Sequence, residues 1–537
     1  MTFGVRGSSC RGVAVRDREG MCMGVDGFSA TECTPVNASD ADAVLVTGGS
    51  RNVTCRLPRR RVGSYTFKQL IDHNNTSSGT FDQPYWAIWE FRFTNLVRWG
   101  APKMKCPISH MPMTGGPIIL MTPGESNADG FTGYLTNRTV NGQIAQQEKG
   151  AAIVLEHRFF GHSNPYPDLS VASFKYHTIQ QAIDDLEYLA NNVVLPFPVA
   201  TRFHPRMLLG THWRQLFRKP DVFWAGYASS AVVESIVDFW QYFEPERLTM
   251  PKNCSNDIQA VIAHWDQVIA SGNTTAFDEL KTSFGMGGVV HRTIAQPALE
   301  LAGTESYLRR YAGKSAPASG WGVEHALSAW ANYSSSTLPG LCSGQNIDDC
   351  LGTYNTSQSF WTDTSIDNAN RSWLWIVCNQ MGFLQESAPS GYPTLVSRLI
   401  QPIYDERQCQ QMFPAAFSSP PVPDVEKTNN AYGGFYLKAD RLFTATGLRD
   451  PWRFAIVSAD GIDVQSTPEQ PIVESDAFHC SDLITKNGLA DPTVLNVQTQ
   501  ALKYIGDWLS TWEPPVVSVE VNVDLNFKHR AYPIPRR

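Results

Sequence analysis

Apolar positions along the chain fall into two kinds of run. Short unbroken runs stand at Pro117–Thr122 (PIILMT), ending in Pro123-Gly124, and at Ala151–His157 (AAIVLEH); both predict buried strands. Between Thr178 and Val193 the apolar residues are Ile179, Ala182, Ile183, Leu186, Leu189 and Ala190, and their 3–4 spacing predicts an amphipathic helix. The pattern returns late in the chain, with strands expected at Leu442–Thr446 and Pro471–Glu474. A final helix then has Asp491 as N-cap, Pro492 at its first position and a face of Val494, Val497, Ala501, Tyr504, Ile505 and Trp508. Strands alternating with helices imply an α/β fold with a mostly parallel sheet. From Cys254 to about Gln385 the periodicity is helical instead, on Ile258, Val261, Ile262, Trp265, Val268 and Ile269, and again on Val323, Ala326, Leu327 and Trp330. Such a block inserted into an α/β frame is expected to form a cap. Residues 414–431 (PAAFSSPPVPDVEKTNNA) read as a Pro-rich loop.

Composition narrows the setting. A chain of 537 residues is long for one simple core. Its net charge of -7 argues against a nucleic-acid partner, and no run of 18 apolar residues is present to span a membrane. Ten N-x-[ST] sequons occur, at Asn37, Asn52, Asn74, Asn75, Asn137, Asn253, Asn273, Asn332, Asn355 and Asn370; the last six are the expected glycosylation sites. Of 11 cysteines, six follow residue 250: Cys254, Cys342, Cys350, Cys378, Cys409 and Cys480. An even set fits three disulfides, and Cys342 with Cys350 is the pair expected from proximity. These signals point to a secreted or vacuolar/lysosomal protein. Residues 1–62 carry no basic-then-apolar leader, so the natural start is expected to differ from this one.

Seven segments, in order, carry a family resemblance: Phe67–Asn75 (FKQLIDHNN), Thr80–Trp86 (TFDQPYW), Thr122–Glu125 (TPGE), Leu155–Ser163 (LEHRFFGHS), Gly226–Val233 (GYASSAVV), Asp450–Arg453 (DPWR) and Phe478–Leu483 (FHCSDL). Together they resemble prolyl carboxypeptidase, dipeptidyl peptidase II and the fungal acid prolyl endopeptidases. The resemblance implies an α/β-hydrolase core at 65–238 and 390–512, a helical cap at 239–389, and unassigned ends at 1–64 and 513–537. It implies hydrolysis of a peptide bond after proline, with no cofactor and no metal, a proline-containing peptide or protein as partner, and a homodimer as one assembly to consider. In this fold the triad runs nucleophile, acid, base along the chain, so the acid maps to Asp450 and the base to His479. Gly124 and Glu125, in the loop after the third core strand, are candidates for the oxyanion hole. Trp373 and Trp375 are candidates for an apolar proline pocket. Gln380 stands where the family often has Glu, which weakens recognition of a peptide amino terminus.

The nucleophile departs from the family. Gly210-Thr211-His212-Trp213 stands where Gly-Cys-Ser-Tyr is expected, with His212 at the nucleophile's place, and no G-x-S-x-G occurs in the chain. Neither Thr211 nor the Ser229-Ser230 pair, which falls at a core strand end, is a good replacement. Residues 202–218 are rich in Arg, His and Trp, and the two ends and Thr94–Thr114 also lack resemblance. This scatter favours an out-of-register reading of the gene over a true loss. Two further classes stay open: a catalytically dead peptide-binding glycoprotein, and an esterase on the same fold. Glu156, His157 and His162 do not make a metal site, because neighbours on a strand point to opposite faces. Gly48-Gly49 opens no helix and lacks the context of a phosphate loop.

Overall fold

Alternate residues of one apolar run face opposite sides of a sheet, so a run buried throughout requires cover on both faces. The computed structural model has this arrangement. It describes residues 43–46, 53–56, 62–88, 116–195, 206–209, 222–287, 289, 317–350 apart from 318, 343, 344, 348 and 349, and 354–513. Eight strands form one sheet: β1 (Gly63–Leu70), β2 (Thr80–Ile88), β3 (Ile118–Met121), β4 (Ala151–Leu155), β5 (Arg206–Leu209), β6 (Ala225–Ser229), β7 (Leu442–Gly447) and β8 (Ile472–Ser475). Their spatial order is β8-β7-β6-β5-β3-β4-β2-β1. The β1–β2 and β2–β4 pairs are antiparallel, and every other pair is parallel. This is the α/β-hydrolase fold.

Helices cover both faces. On one, Ile119 and Met121 of β3 and Ala152 and Val154 of β4 pack with Val140 and Ile144 of α1 (Val140–Gln147). On the other, Leu120, Ile153 and Leu155 meet Ile179, Ile183, Leu186 and Leu189 of α2 (Ile179–Asn192). Each buried aliphatic side chain contributes roughly 1.5–3 kcal/mol. Thr178 caps α2 by accepting from the Gln181 N–H.

A second apolar core belongs to the helical block. Ile258, Val261, Ile262 and Trp265 of α3 (Lys252–Ala270) pack with Leu280 of α4 (Thr274–Ser283) and with Ala326, Trp330 and Leu338 of α5 (Val323–Leu341). Leu395, Val396 and Ile400 also lie in this core, so the expected boundary after residue 389 cuts through its packing. Two short parallel strands, Ile236–Asp238 before the helices of the block and Gly382–Leu384 after them, pair with each other. The Pro-rich loop expected over 414–431 is partly helical: α6 (Val425–Tyr432) starts where Asp424 accepts from the Lys427 N–H. An N-cap aspartate directly after the prolines outweighs their loop-forming tendency. The last helix, α7 (Pro492–Ser510), has the predicted Asp491 cap and buries Val497, Ala501 and Ile505 against the sheet.

The expected Cys342–Cys350 bond is present, with Cα atoms 5.5 Å apart, and Cys378 bonds Cys409. Cys480 is also disulfide-bonded, whereas Cys254 is buried as a thiol. The six late cysteines therefore do not close into three pairs among themselves. Among the described residues, no helix is long and apolar enough to cross a membrane.

Candidate active site

The parallel strands β7 and β8 end side by side, and each opens into a loop carrying one candidate residue. Backbone bonds fasten the loops together: the Leu448 N–H donates to the Ser475 carbonyl at 2.9 Å, and the Arg449 N–H to the Ala477 carbonyl at 2.9 Å. At Gly447 the approach is so close that an added Cβ would lie 2.4 Å from the Ala477 oxygen. Glycine is what lets the loops meet.

Asp450 is fully buried. Its Oδ1 accepts from the Trp452 N–H at 2.9 Å, and both carboxylate oxygens lie 3.0 Å from Nδ1 of His479. A carboxylate only accepts, so Nδ1 carries the proton and Nε2 is left as the basic nitrogen. Burial is the largest single influence on His479 and lowers its pKa, but the charge and hydrogen bond of Asp450, with Asp482 and Glu125 adding to them, outweigh it; the net shift is upward. The imidazole is thus suited to taking up a proton and holding it beside a fixed negative charge.

The loop after β3 lies near this pair. Gly124 has φ +81, a left-handed conformation that suits glycine, and its carbonyl accepts from the Ser126 N–H. Glu156, just beyond β4, anchors the loop: Oε2 accepts from the Ala128 N–H at 2.9 Å, while Oε1 accepts from the His162 N–H at 2.8 Å and Ser163 Oγ at 2.9 Å. Burial raises the Glu156 pKa, against these hydrogen bonds. Glu156 is therefore a fastener between two loops. Behind it Arg158, with no exposed surface, reaches Asp185 through Nε at 2.7 Å, and His73 Nε2 meets the same carboxylate at 2.8 Å. The FKQLIDHNN and LEHRFFGHS segments are joined by this buried network.

An aromatic group stands beside His479. The Trp452 ring lies 6.5 Å from the imidazole, stacks on Phe239 at 5.7 Å, and meets Phe383 and Tyr242 edge-on at 5.1 and 5.4 Å. Trp373 packs against this group. Trp375 is placed elsewhere: its Nε1 donates to the His177 carbonyl at 3.1 Å, and its ring stacks on Phe174. Gln380 Oε1 accepts from the Ile179 N–H at 3.0 Å, capping the first turn of α2. So the structure gathers Asp450, His479, Trp373 and the Gly124–Glu125 loop, while Trp375 and Gln380 have packing and capping roles.

His212 and the rest of segment 210–214, and the stretch 94–114, lie outside the described residues. Sequence reasoning missed Trp452, Phe239, Tyr242 and Phe383, and also Tyr227 and Asp482. Trp452 and Asp482 stand inside the DPWR and FHCSDL segments, which was the only signal for them. Five of the six expected glycosylation positions, Asn137, Asn273, Asn332, Asn355 and Asn370, are exposed, and Asn253 is half-buried.

Comparison with known proteins matches residues 108–295 and 309–501 to the serine carboxypeptidase S28 family, more than half of the chain. Serine protease vicPb of Bipolaris victoriae is 32% identical over 506 residues, spanning 83% of this chain and 89% of that protein. A protein of Arthroderma benhamiae named "Probable extracellular serine carboxypeptidase" is 29% identical and spans 74% of this chain and 62% of its own. The human thymus-specific serine protease is 23% identical, over 84% of this chain and 88% of its own.

Proposed function

The chain belongs to the serine carboxypeptidase S28 family, and from that premise we propose that its site is built to hydrolyse peptide bonds after proline. The observation that carries this is the contact of His479 Nδ1 with both oxygens of a fully buried Asp450, each at 3.0 Å. In the proposed reaction His479 Nε2 takes the proton of a nucleophile at the end of β5. The nucleophile attacks the carbonyl, N–H groups of the Gly124–Glu125 loop stabilise the oxyanion, and the imidazolium returns its proton to the leaving amine. Water then releases the acyl group by the same cycle. Trp452, Phe239, Phe383 and Trp373 supply flat apolar surface suited to a pyrrolidine ring. The disulfides fit an oxidising compartment, and the exposed sequons fit a glycosylated, secreted protein.

As the sequence stands, residue 212 is histidine, and a histidine cannot form an acyl ester that turns over. The second reading, a peptide-binding protein that has lost its chemistry, rests on that residue. The test is a serine-reactive phosphonate probe and a proline-containing chromogenic peptide. The chain as written, with His212, is expected to show neither labelling nor turnover. A chimera with segment 210–214 replaced by Gly-Cys-Ser-Tyr-Ala-Gly is expected to show both. A folded but inactive chimera would refute the reading of this site.

A further inference from the structure

His479 is held on one side by Asp450, but its loop has a second attachment with no assigned role. Asp482, three residues on, is buried against the end of β6. Its Oδ1 accepts from Ser229 Oγ at 2.8 Å, and its Oδ2 accepts from the Tyr227 hydroxyl. The Tyr227 ring stacks on Phe443 of β7, with centroids 5.5 Å apart and planes at 5°, so the direction of its hydroxyl is set by the sheet. Between the two carboxylates, the Cys480 N–H donates to Ser230 Oγ at 2.9 Å. Cys480 at φ +55 and Ser230 at φ +48 both lie in the left-handed region, which side-chain-bearing residues hold only where their surroundings enforce it. The Asp482 carbonyl also accepts from Gln498 Nε2 of α7 at 2.9 Å.

We propose that Asp482 is a positioning residue, clamping the His479 loop to β6 so that the imidazole keeps its orientation between two buried carboxylates. This rests on the reading of His479 as the base. A carboxylate suits the place because both donors are hydroxyls and an acceptor-only group satisfies both at once. It also gives the Ser229-Ser230 pair a task other than chemistry: Ser229 holds Asp482, and Ser230 holds the backbone of Cys480. The GYASSAVV and FHCSDL segments are two halves of one fastening.

The test uses the full chain and reads the acylation of His479 by diethylpyrocarbonate, which attacks neutral imidazole. Peptide mass spectrometry across the histidine titration range gives a midpoint and a plateau rate, and thermal melting checks folding. D450N is expected to lower the midpoint. D482N is expected to lower it by less and to raise the plateau rate several-fold as the loop loosens. Y227F, which keeps the carboxylate, is expected to raise the plateau rate and leave the midpoint close to that of the parent. If D450N shifts the midpoint while D482N and Y227F change neither quantity, the clamp is refuted and the Asp450–His479 pair stands. If D450N leaves the midpoint unmoved, the base assignment itself fails. Should D482N not fold, an unchanged plateau rate in Y227F alone overturns the clamp.

Discussion

Buried carboxylates at the sheet edge and at the crossing into the helical block have opposite surroundings. Asp450, Asp482 and Glu156 each accept two or more hydrogen bonds from groups that fix a loop. Glu386, two residues past the strand Gly382–Leu384, is also buried, yet its Oε2 finds no donor. Its neighbours are of like charge: Asp238 on the incoming strand, then Asp405 and Glu406 on the helix Ile403–Met412. Burial first, and these charges second, push the Glu386 pKa up to about 8. Burial likewise raises Asp405 to about 6. One region uses buried charge to set geometry; in the other, Glu386 keeps an oxygen without a donor among like charges, so that its contribution to stability follows pH.

The largest expected effect tests the first half of that contrast. On the chimera with the Gly-Cys-Ser-Tyr-Ala-Gly elbow, H479A is expected to lower turnover by about 10⁶-fold and D450N by about 10⁴-fold. Steady-state hydrolysis of a proline-containing peptide measures both. If D450N costs less than about tenfold, the buried pair is a structural contact and the contrast between the regions disappears.

Two changes in the helical block probe the second half. Removing the Cys342–Cys350 bond with C342S/C350S is expected to cost about 2–3 kcal/mol, the loop-closure entropy of so short a ring. Chemical unfolding measures the loss, and His479 acylation should stay as in the parent because the sheet-edge loops are fastened separately. For E386Q the sign follows from proton binding. The folded chain holds the Glu386 proton up to about pH 8, while the unfolded chain releases it near the ordinary 4.5. Between those values the folded form binds more protons, so stability falls as pH rises. E386Q is therefore expected to stabilise the protein at pH about 7.5 by a few kcal/mol, on the scale of ~1.4 kcal/mol for each pH unit above 4.5. The gain should vanish near pH 4, where the parent is already neutral. An equal gain at both pH values would mean that charge at this position has no part in it.

Where a residue's task depends on its own stretch of chain, the sequence was a good guide. The apolar runs of β3 and β4, the 3–4 spacing of α2 and the Asp491-Pro492 start of α7 each encode their element locally. Asp450 and His479 were legible because each follows a strand within a segment that resembles a known family. The aromatic group was not, since Phe239, Phe383 and Trp452 lie far apart in the chain and only the crossing strands bring them together. Asp482 and Tyr227 were missed for the same reason: a buried tyrosine on a strand reads as core until its hydroxyl is seen to have a partner. The cap that Gln380 Oε1 gives α2 was not legible either, because Ile179 lies 201 residues earlier in the chain. The loop expected over 414–431 weighed the prolines and overlooked Asp424, whose side chain starts α6.

The smallest expected effect separates two tasks of one side chain. Asn273 is a sequon asparagine, exposed on the helical block, and its Oδ1 accepts from the Ala276 N–H at 3.1 Å as the N-cap of α4. A glycan attaches through Nδ2, which leaves Oδ1 free to keep the cap. N273A removes both the acceptor nitrogen and the cap, while N273D removes the glycan alone and keeps an oxygen that favours a helix start. N273A is expected to lose about 1 kcal/mol, seen as faster hydrogen exchange in the first turn of α4, while N273D stays within a few tenths of the parent. Leu280 and the half-buried Phe277 tie α4 into the block's core, so loosening its first turn should remain local and leave His479 acylation unchanged. If N273D loses as much as N273A, the stabilising element is the attached sugar, and the helical block owes part of its order to modification as well as to packing.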